Sequence, residues 1–222
     1  MVAGGSGRRF GGRKQFLPLA GHPVASWSVN AARSVADGVV LVVPAPDSDI
    51  PDDVSVPTPG STGEDALGAT CVVPGGVTRA DSVRAGLAAV PSDAEVIVVH
   101  DAARPLAGPD LFSAVVDAVR AGDVDGAVPV VPVTDTLKRV HAGRVVATVD
   151  REGLLAVQTP QAFAADALRA AHAGAGDATD DAGLLEAAGL VVAAVEGDPR
   201  NLKLTRPEDL ALAEALLAGA QR

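Results

Sequence analysis

The stretch that decides the fold is Val96–Pro105, which reads VIVVHDAARP. Val96 to Val99 is an unbroken β-branched run, the pattern of a strand buried on both faces of a parallel sheet. It stops at His100 and Asp101, followed by Ala102, Ala103, Arg104 and Pro105. Open α/β sheets bind ligands just beyond the carboxyl ends of their strands. There an aspartate can meet a metal–phosphate complex and an arginine can meet a phosphate. The two small alanines would let a ligand lie against the backbone. The same residues also suit a strand end whose Asp101 caps the next turn, since Asp is common in turns. The rest of the chain decides between the two.

On the N-terminal side, Pro23–Val35 suits a helix, Val39–Val43 a short buried strand, and Pro44–Gly63 a Pro- and Asp-rich surface connection. Ala69–Val73 is a further strand, and Arg79–Ala89 a helix entered through Pro74-Gly75-Gly76. On the C-terminal side come a helix at Asp110–Arg120 and a strand at Gly126–Val133, where Pro129 and Pro132 imply an edge or a bend. Thr136–Val140 and Arg144–Val149 flank His141-Ala142-Gly143 as a hairpin. An isolated hairpin is marginal in water, so residues 134–152 read as an arm lying on the domain or on a second subunit. Leu154–Gln158 returns as a strand, with helices at Ala164–Ala173 and Asp180–Ala188, the second capped by Thr179. Leu190–Val195 is a strand and Asn201–Leu204 an extended piece. Thr205 and Glu208 form a capping box for a last helix ending near Ala218. Strands alternating with helices predict one three-layer, doubly wound α/β domain with a mostly parallel sheet.

Composition narrows the partners. The chain is 222 residues long, 48% hydrophobic but only 2% aromatic, so Ala, Val and Leu must build the core. A net charge of -10, no Tyr and one Trp argue against nucleic acid and against an anionic membrane. No apolar run approaches the ~20 residues of a membrane span, and no signal peptide is visible. With Cys71 as the single cysteine, an internal disulfide is excluded and a cytoplasmic protein is expected. The four histidines lack metal-ligand spacing, which argues against zinc.

The charge is uneven. No acidic residue precedes Asp37, while Arg8, Arg9, Arg13 and Lys14 crowd together behind Gly4, Gly5 and Gly7. Glycine-loop N–H groups can wrap phosphate oxygens, and the cations would neutralise a triphosphate. It is neither a P-loop, lacking Lys-Ser or Lys-Thr, nor a dinucleotide fingerprint; a basic terminal tail is the plainer alternative. Gly75 to Ser82 forms a second glycine turn leading into a helix, which suits either ligand hydrogen bonding or simple turn chemistry.

Taken together, GSGRRF with KQF, GGVTRADSVRAGL, VVHDAARP, PVTDTLKR, VDREGL, QTPQAF, TDDAG and NLKLTRPEDL resemble the 2-C-methyl-D-erythritol 4-phosphate cytidylyltransferases, block for block and in order. The resemblance implies a Rossmann-like nucleotidyltransferase fold joining CTP to a sugar-alcohol phosphate with Mg²⁺ and releasing pyrophosphate. It implies that Gly5, Gly7, Arg9 and Lys14 hold the triphosphate and stabilise charge at the α-phosphate. Ala3, Gly4, Gly76 and Ser82 would meet the cytosine, and Asp101 with Ala102 would sit by the ribose, Asp101 also reaching Mg²⁺. Arg104, Thr136, Arg151 and Lys203 would form the acceptor side, Arg151 and Lys203 positioning its phosphate. Thr159, Thr179 and Thr205 would line the same pocket. The hairpin would be the arm of a homodimer. A phosphate oxygen is already nucleophilic at neutral pH, so such a site needs positioning and electrostatics rather than a general base.

Three departures stand out, the first being that the resemblance implies two alanines ahead of the glycine loop where here the second is Gly4. The resemblance implies a strand ahead of the glycine loop, yet only Met1 and Val2 precede Ala3, against the roughly five residues of a typical strand. That strand is expected to be missing or nearly so, in a chain that starts late, which would leave two unpaired inner edges. Arg13 also stands where a proline usually precedes the lysine. The rival readings are a cytidylyltransferase acting on ribitol 5-phosphate and a nucleotide-binding relative without turnover. A dinucleotide-dependent reductase is more distant, lacking the fingerprint and any Tyr.

Overall fold

Short β-branched strands build the first half of the chain, and a hairpin and a mixed sheet build the second. The computed structural model describes residues 1–4, 13–45, 57–174 and 180–220. After a short 3₁₀ turn at Lys14–Phe16, strands β1 (Pro18–Leu19) and β2 (His22–Pro23) form a small antiparallel hairpin leading into helix α1 (Val24–Arg33). Strands β3 (Val40–Val43) and β4 (Cys71–Pro74) pair in parallel, and helix α2 (Arg79–Ala89) follows. The Val96–Val99 run is strand β5, as its composition predicts, and helix α3 (Pro109–Arg120) starts with Pro109 at its first turn. Strand β6 spans Gly126–Pro132; β7 (Leu137–His141) and β8 (Arg144–Val149) make the hairpin. Strands β9 (Leu155–Val157) and β10 (Gln161–Ala164), helices α4 (Ala165–Ala173) and α5 (Asp181–Ala187), strand β11 (Val192–Glu196) and helix α6 (Glu208–Ala220) complete it.

The sheet order is β11-β6-β10-β5, with β9 pairing along the far end of β6. Strand β10 runs antiparallel to both β5 and β6, pairing Ala162 with Val98 on one side and with Ala127 on the other. The sequence pattern predicts no strand here and a helix starting at Ala164. QAFA is a four-residue piece whose pairing partners lie 35 to 68 residues away, so no local pattern marks it.

Met1–Ala3 joins this sheet to the β3–β4 pair. Val2 bridges in parallel to Val42 on one side and to Asp101 on the other. Val2 N–H donates to His100 O at 2.8 Å, Ala102 N–H to Val2 O at 3.0 Å, and Ala3 N–H to Val42 O at 2.8 Å. The expected first strand is therefore present as a fragment of three residues in the middle of the sheet. Phe112 and Val29 pack on one face of the sheet, and Val83, Phe163 and Leu168 on the other. The architecture is three-layered.

Two caps differ from expectation. Asp180, not Thr179, caps α5, its carboxylate accepting from Gly183 N–H; Thr179 lies outside the described residues. Before α6 it is Asp209, not Glu208, that accepts from Thr205 N–H, Thr205 Oγ1 and Arg206 N–H. The shorter aspartate side chain, one residue further on, reaches back over the turn. Among the described residues, no helix is long and apolar enough to cross a membrane.

Candidate active site

Three segments meet at the carboxyl ends of β3, β4 and β5. The first is Ala3-Gly4. A Cβ on Gly4 would stand 3.1 Å from Ser82 Oγ, so the start of the glycine loop lies close against the β4–α2 turn, and a larger residue would require Ser82 to give by a few tenths of an ångström. Gln15 Nε2 donates to Ala3 O, which ties the Lys14–Phe16 turn, and with it Lys14, to the base of that loop. Arg13 is buried. Gly5, Gly7 and Arg9 lie outside the described residues.

The second segment is Gly75–Ser82. Ser82 is buried, donates to Thr78 O at 3.0 Å and accepts from Gly76 N–H at 3.2 Å. A Cβ on Gly76 would fall 2.2 Å from Asp81 Cβ. Thr78 and Asp81 close a reciprocal capping box at the start of α2. Ser82 thus holds the turn in shape with the same hydroxyl that the family resemblance assigns to the base.

The third is the end of β5. Ala102 is fully buried, and Asp101 N–H donates to Thr159 Oγ1 at 3.0 Å. Thr159 also meets His100 Nδ1 at 3.1 Å, so this threonine braces the strand end. The His100 ring reaches Ser28 Oγ and Arg104 O. Leu204 N–H donates to Ala103 O at 2.8 Å, which carries Lys203 to Asp101, where Nζ stands 2.6 Å from the carboxylate. Arg104 donates to Asn201 O at 2.8 Å, and Asn201 is held by Gln158 and Thr159 O.

Sequence reasoning missed Arg79. Its guanidinium lies 3.6 Å from Asp101 and 2.8 Å from Asp181, and Asp181 is gripped in turn by His172 at 2.9 Å. Burial alone would raise the Asp101 carboxyl, but Lys203 and Arg79 outweigh it and hold the pKa below the usual range. Burial likewise opposes the Asp181 carboxylate, which His172 and Arg79 keep ionised below its ordinary value. One signal was available: a cation in the first turn of a helix opposes the macrodipole, so an arginine there needs an anionic partner.

Thr136 and Arg151 are exposed at the base of the hairpin, Arg151 Nη1 donating to Val133 O and Thr134 O. Among the described residues, no hydrogen bond or ion pair joins either to the Asp101–Lys203 cluster. Thr205 is committed to Asp209. One half of the predicted constellation is assembled around Asp101; the other stands apart on the arm.

A family model for 2-C-methyl-D-erythritol 4-phosphate cytidylyltransferase matches residues 1–219. The chain belongs to this family. A relative of that name from Nocardia farcinica is 46% identical over 97% of this chain and 91% of its own length. One from Saccharopolyspora erythraea is 45% identical over 97% and 96%. The crystal structure of the enzyme so named from Thermus thermophilus superposes with a TM-score of 0.78 at 35% identity, covering 98% of this chain and 96% of that one. Family membership makes the chain an enzyme of the nucleotidyltransferase class with the Rossmann-like fold of that class.

The donor set suits a magnesium ion brought in by a triphosphate. Magnesium favours hard oxygen ligands, keeps several waters, and is commonly held by one or two carboxylates plus phosphates. Asp101 offers such a carboxylate. Among the described residues, no group of three or more His, Cys, Asp or Glu forms an all-protein cage.

Proposed function

We propose that the chain joins CTP and 2-C-methyl-D-erythritol 4-phosphate, releasing pyrophosphate, as a step of isoprenoid biosynthesis. An oxygen of the acceptor phosphate attacks the α-phosphorus of CTP, a new P–O–P bond forms, and the bond to pyrophosphate breaks. No proton has to be removed from the nucleophile. The work left to the protein is to hold two anions together and neutralise the charge that moves to the leaving group.

The observation that carries this reading is the convergence of Ala3-Gly4, Gly76, Ser82, Asp101 and Lys203 at adjoining strand ends. In the proposal the first four hold the nucleotide, Lys14 and Arg9 neutralise its phosphates, and Asp101 would hold Mg²⁺. When bound, the metal screens the triphosphate and supports the departing pyrophosphate. Lys203 and Arg104 receive the acceptor phosphate from the main body. Thr136 and Arg151 do so from the arm. We further propose a homodimer through that arm and a cytoplasmic location. Val140, Val145 and Val146 on the hairpin, and Leu155 and Val157 on β9, are between 43% and 64% exposed, an apolar surface suited to a second copy.

The test is pyrophosphate release from CTP and Mg²⁺ with either methylerythritol phosphate or ribitol 5-phosphate as acceptor. Release with the first alone supports the proposal. Release with ribitol phosphate alone moves the chain to that activity. CTP binding without release from either makes it a binding protein.

A further inference from the structure

Residues 197–207, between β11 and α6, form turns and irregular backbone, yet they deliver Lys203 to Asp101. Without a helix or strand to hold it, such a segment is aimed by a few specific contacts with the scaffold. Its backbone meets the body of the domain at Gly197, whose N–H donates to Val130 O at 2.9 Å, and at Leu204, whose N–H donates to Ala103 O at 2.8 Å. Between these two points stands Asn201, which is fully buried.

Asn201 Nδ2 donates to Gln158 Oε1 at 3.2 Å and to Thr159 O at 2.9 Å, in the turn between β9 and β10. Both amide hydrogens are used, while Oδ1 has no hydrogen-bond partner among the described residues. A buried acceptor left unpaired costs stability, so this amide is a poor choice for stability alone. Gln158 turns back on the same segment, its Nε2 donating to Asp198 O at 2.9 Å and to Asn201 O at 3.4 Å. Thr159 takes Asn201 on its carbonyl and Asp101 N–H on its hydroxyl, so the segment and the end of β5 hang on one residue. The Asn201 carbonyl also accepts from Arg104 Nη1 at 2.8 Å. One buried amide thus fixes the backbone that holds the Arg104 guanidinium and, two residues on, carries Lys203.

We propose that Asn201 is a positioning residue for the acceptor phosphate, setting the spacing between Arg104 and Lys203 by anchoring their shared backbone support to Gln158 and Thr159. This rests on the proposed reaction, in which those two cations receive that phosphate. Being fully buried, Asn201 touches no acceptor and acts through the two cations. Its leverage is geometric, since a misplacement of about 1 Å at a reacting group can cost about 100-fold in rate.

The test is steady-state pyrophosphate release by the full chain and its Asn201→Ala, Gln158→Met, Lys203→Ala and Arg104→Ala variants, with CTP and methylerythritol phosphate varied separately. Asn201→Ala should raise the KM for the acceptor about tenfold or more and leave the KM for CTP within about twofold. A role in folding alone would lower the active fraction, and with it kcat, without moving either KM. Combined with Lys203→Ala, the change should raise the acceptor KM by less than the product of the separate effects, because one acts through the other. Gln158→Met leaves Thr159 O as the remaining anchor of Asn201 Nδ2; it should move the acceptor KM the same way by a smaller factor, and it carries the test if Asn201→Ala does not fold. An unchanged acceptor KM in the folded variant, a matching rise in both KM values, or a full product in the combined variant would each overturn the inference alone. If Lys203→Ala and Arg104→Ala themselves leave the acceptor KM unchanged, the reading of those cations fails, and this inference with it.

Discussion

Replacing Arg79 by methionine tests whether the site is held together from behind. The change keeps most of the aliphatic stem and removes the guanidinium that lies 2.8 Å from Asp181 and 3.6 Å from Asp101. Breaking a fully buried ion pair costs about 3–5 kcal/mol, because it strands the remaining charge. Here Asp181 is 1% exposed but Arg79 is 31% exposed, and Asp181 keeps His172 at 2.9 Å. Solvent screening and the surviving partner reduce the expected loss to roughly 1–3 kcal/mol. For a chain of this size that is a fall of about 3–10 °C in melting temperature. Asp181→Asn alone should also destabilise, and the double variant should lose less than the sum by about 0.5 kcal/mol or more. The pH dependence has a definite sign. Asp181 and Asp101 are held below their ordinary pKa in the folded chain, so their contribution is complete above about pH 4 and fades as acid drops through the lower folded values. The gap between parent and R79M should therefore be widest near neutrality and close in acid. Melting curves at a series of pH values, with the double-mutant cycle at pH 7, measure all of this. An R79M protein that melts with the parent, or a cycle showing no coupling, would refute the reasoning.

Three further outcomes follow from the same geometry. Lys203→Ala and Arg151→Ala should each lower the rate of pyrophosphate release about 100-fold or more while leaving melting within about 2 °C, since both side chains are substantially exposed and, in the proposed reaction, position charge; unchanged turnover in both would remove them from the site. Gly76→Ala forces a Cβ to within 2.2 Å of Asp81, so the turn must shift, and CTP affinity measured by calorimetry should fall at least about tenfold. His100 is buried and its pKa is pushed down to about 3 by burial, so it stays neutral in the fold while the unfolded chain protonates it near pH 6.5. Stability should decline between those two values as pH falls, by up to about 1.4 kcal/mol per unit from this group, and His100→Gln should flatten that limb in denaturant titrations.

What was legible in the sequence was what depends on neighbours along the chain. The β-branched run of β5, the helix behind Thr78 and the β7–β8 hairpin are each specified by residues within a few positions of one another. Strand β10 was not legible, because QAFA becomes a strand only by fitting between β5 and β6, and its four residues carry no period of their own. The site divides in the same way. Asp101 could be picked out as an acid at a strand end, and Lys203 came from a matched block, but their contact at 2.6 Å spans 102 positions. Arg79 and Asp181, also 102 positions apart, left only the trace of an arginine placed against a helix dipole.

Register explains why local reading stops where it does. Val2 alone, among the described residues, bridges both β3 and the end of β5. That bridge sets Ala3-Gly4 against Ser82 on one side and Asp101 on the other. A slip of one residue would turn Val2 from one face of the sheet to the other and withdraw Gly4 from its close approach to Ser82. The parts that bind nucleotide in the proposed reaction are thus aligned by a three-residue strand fragment. Whatever stiffens that fragment should sharpen the aim of the glycine loop.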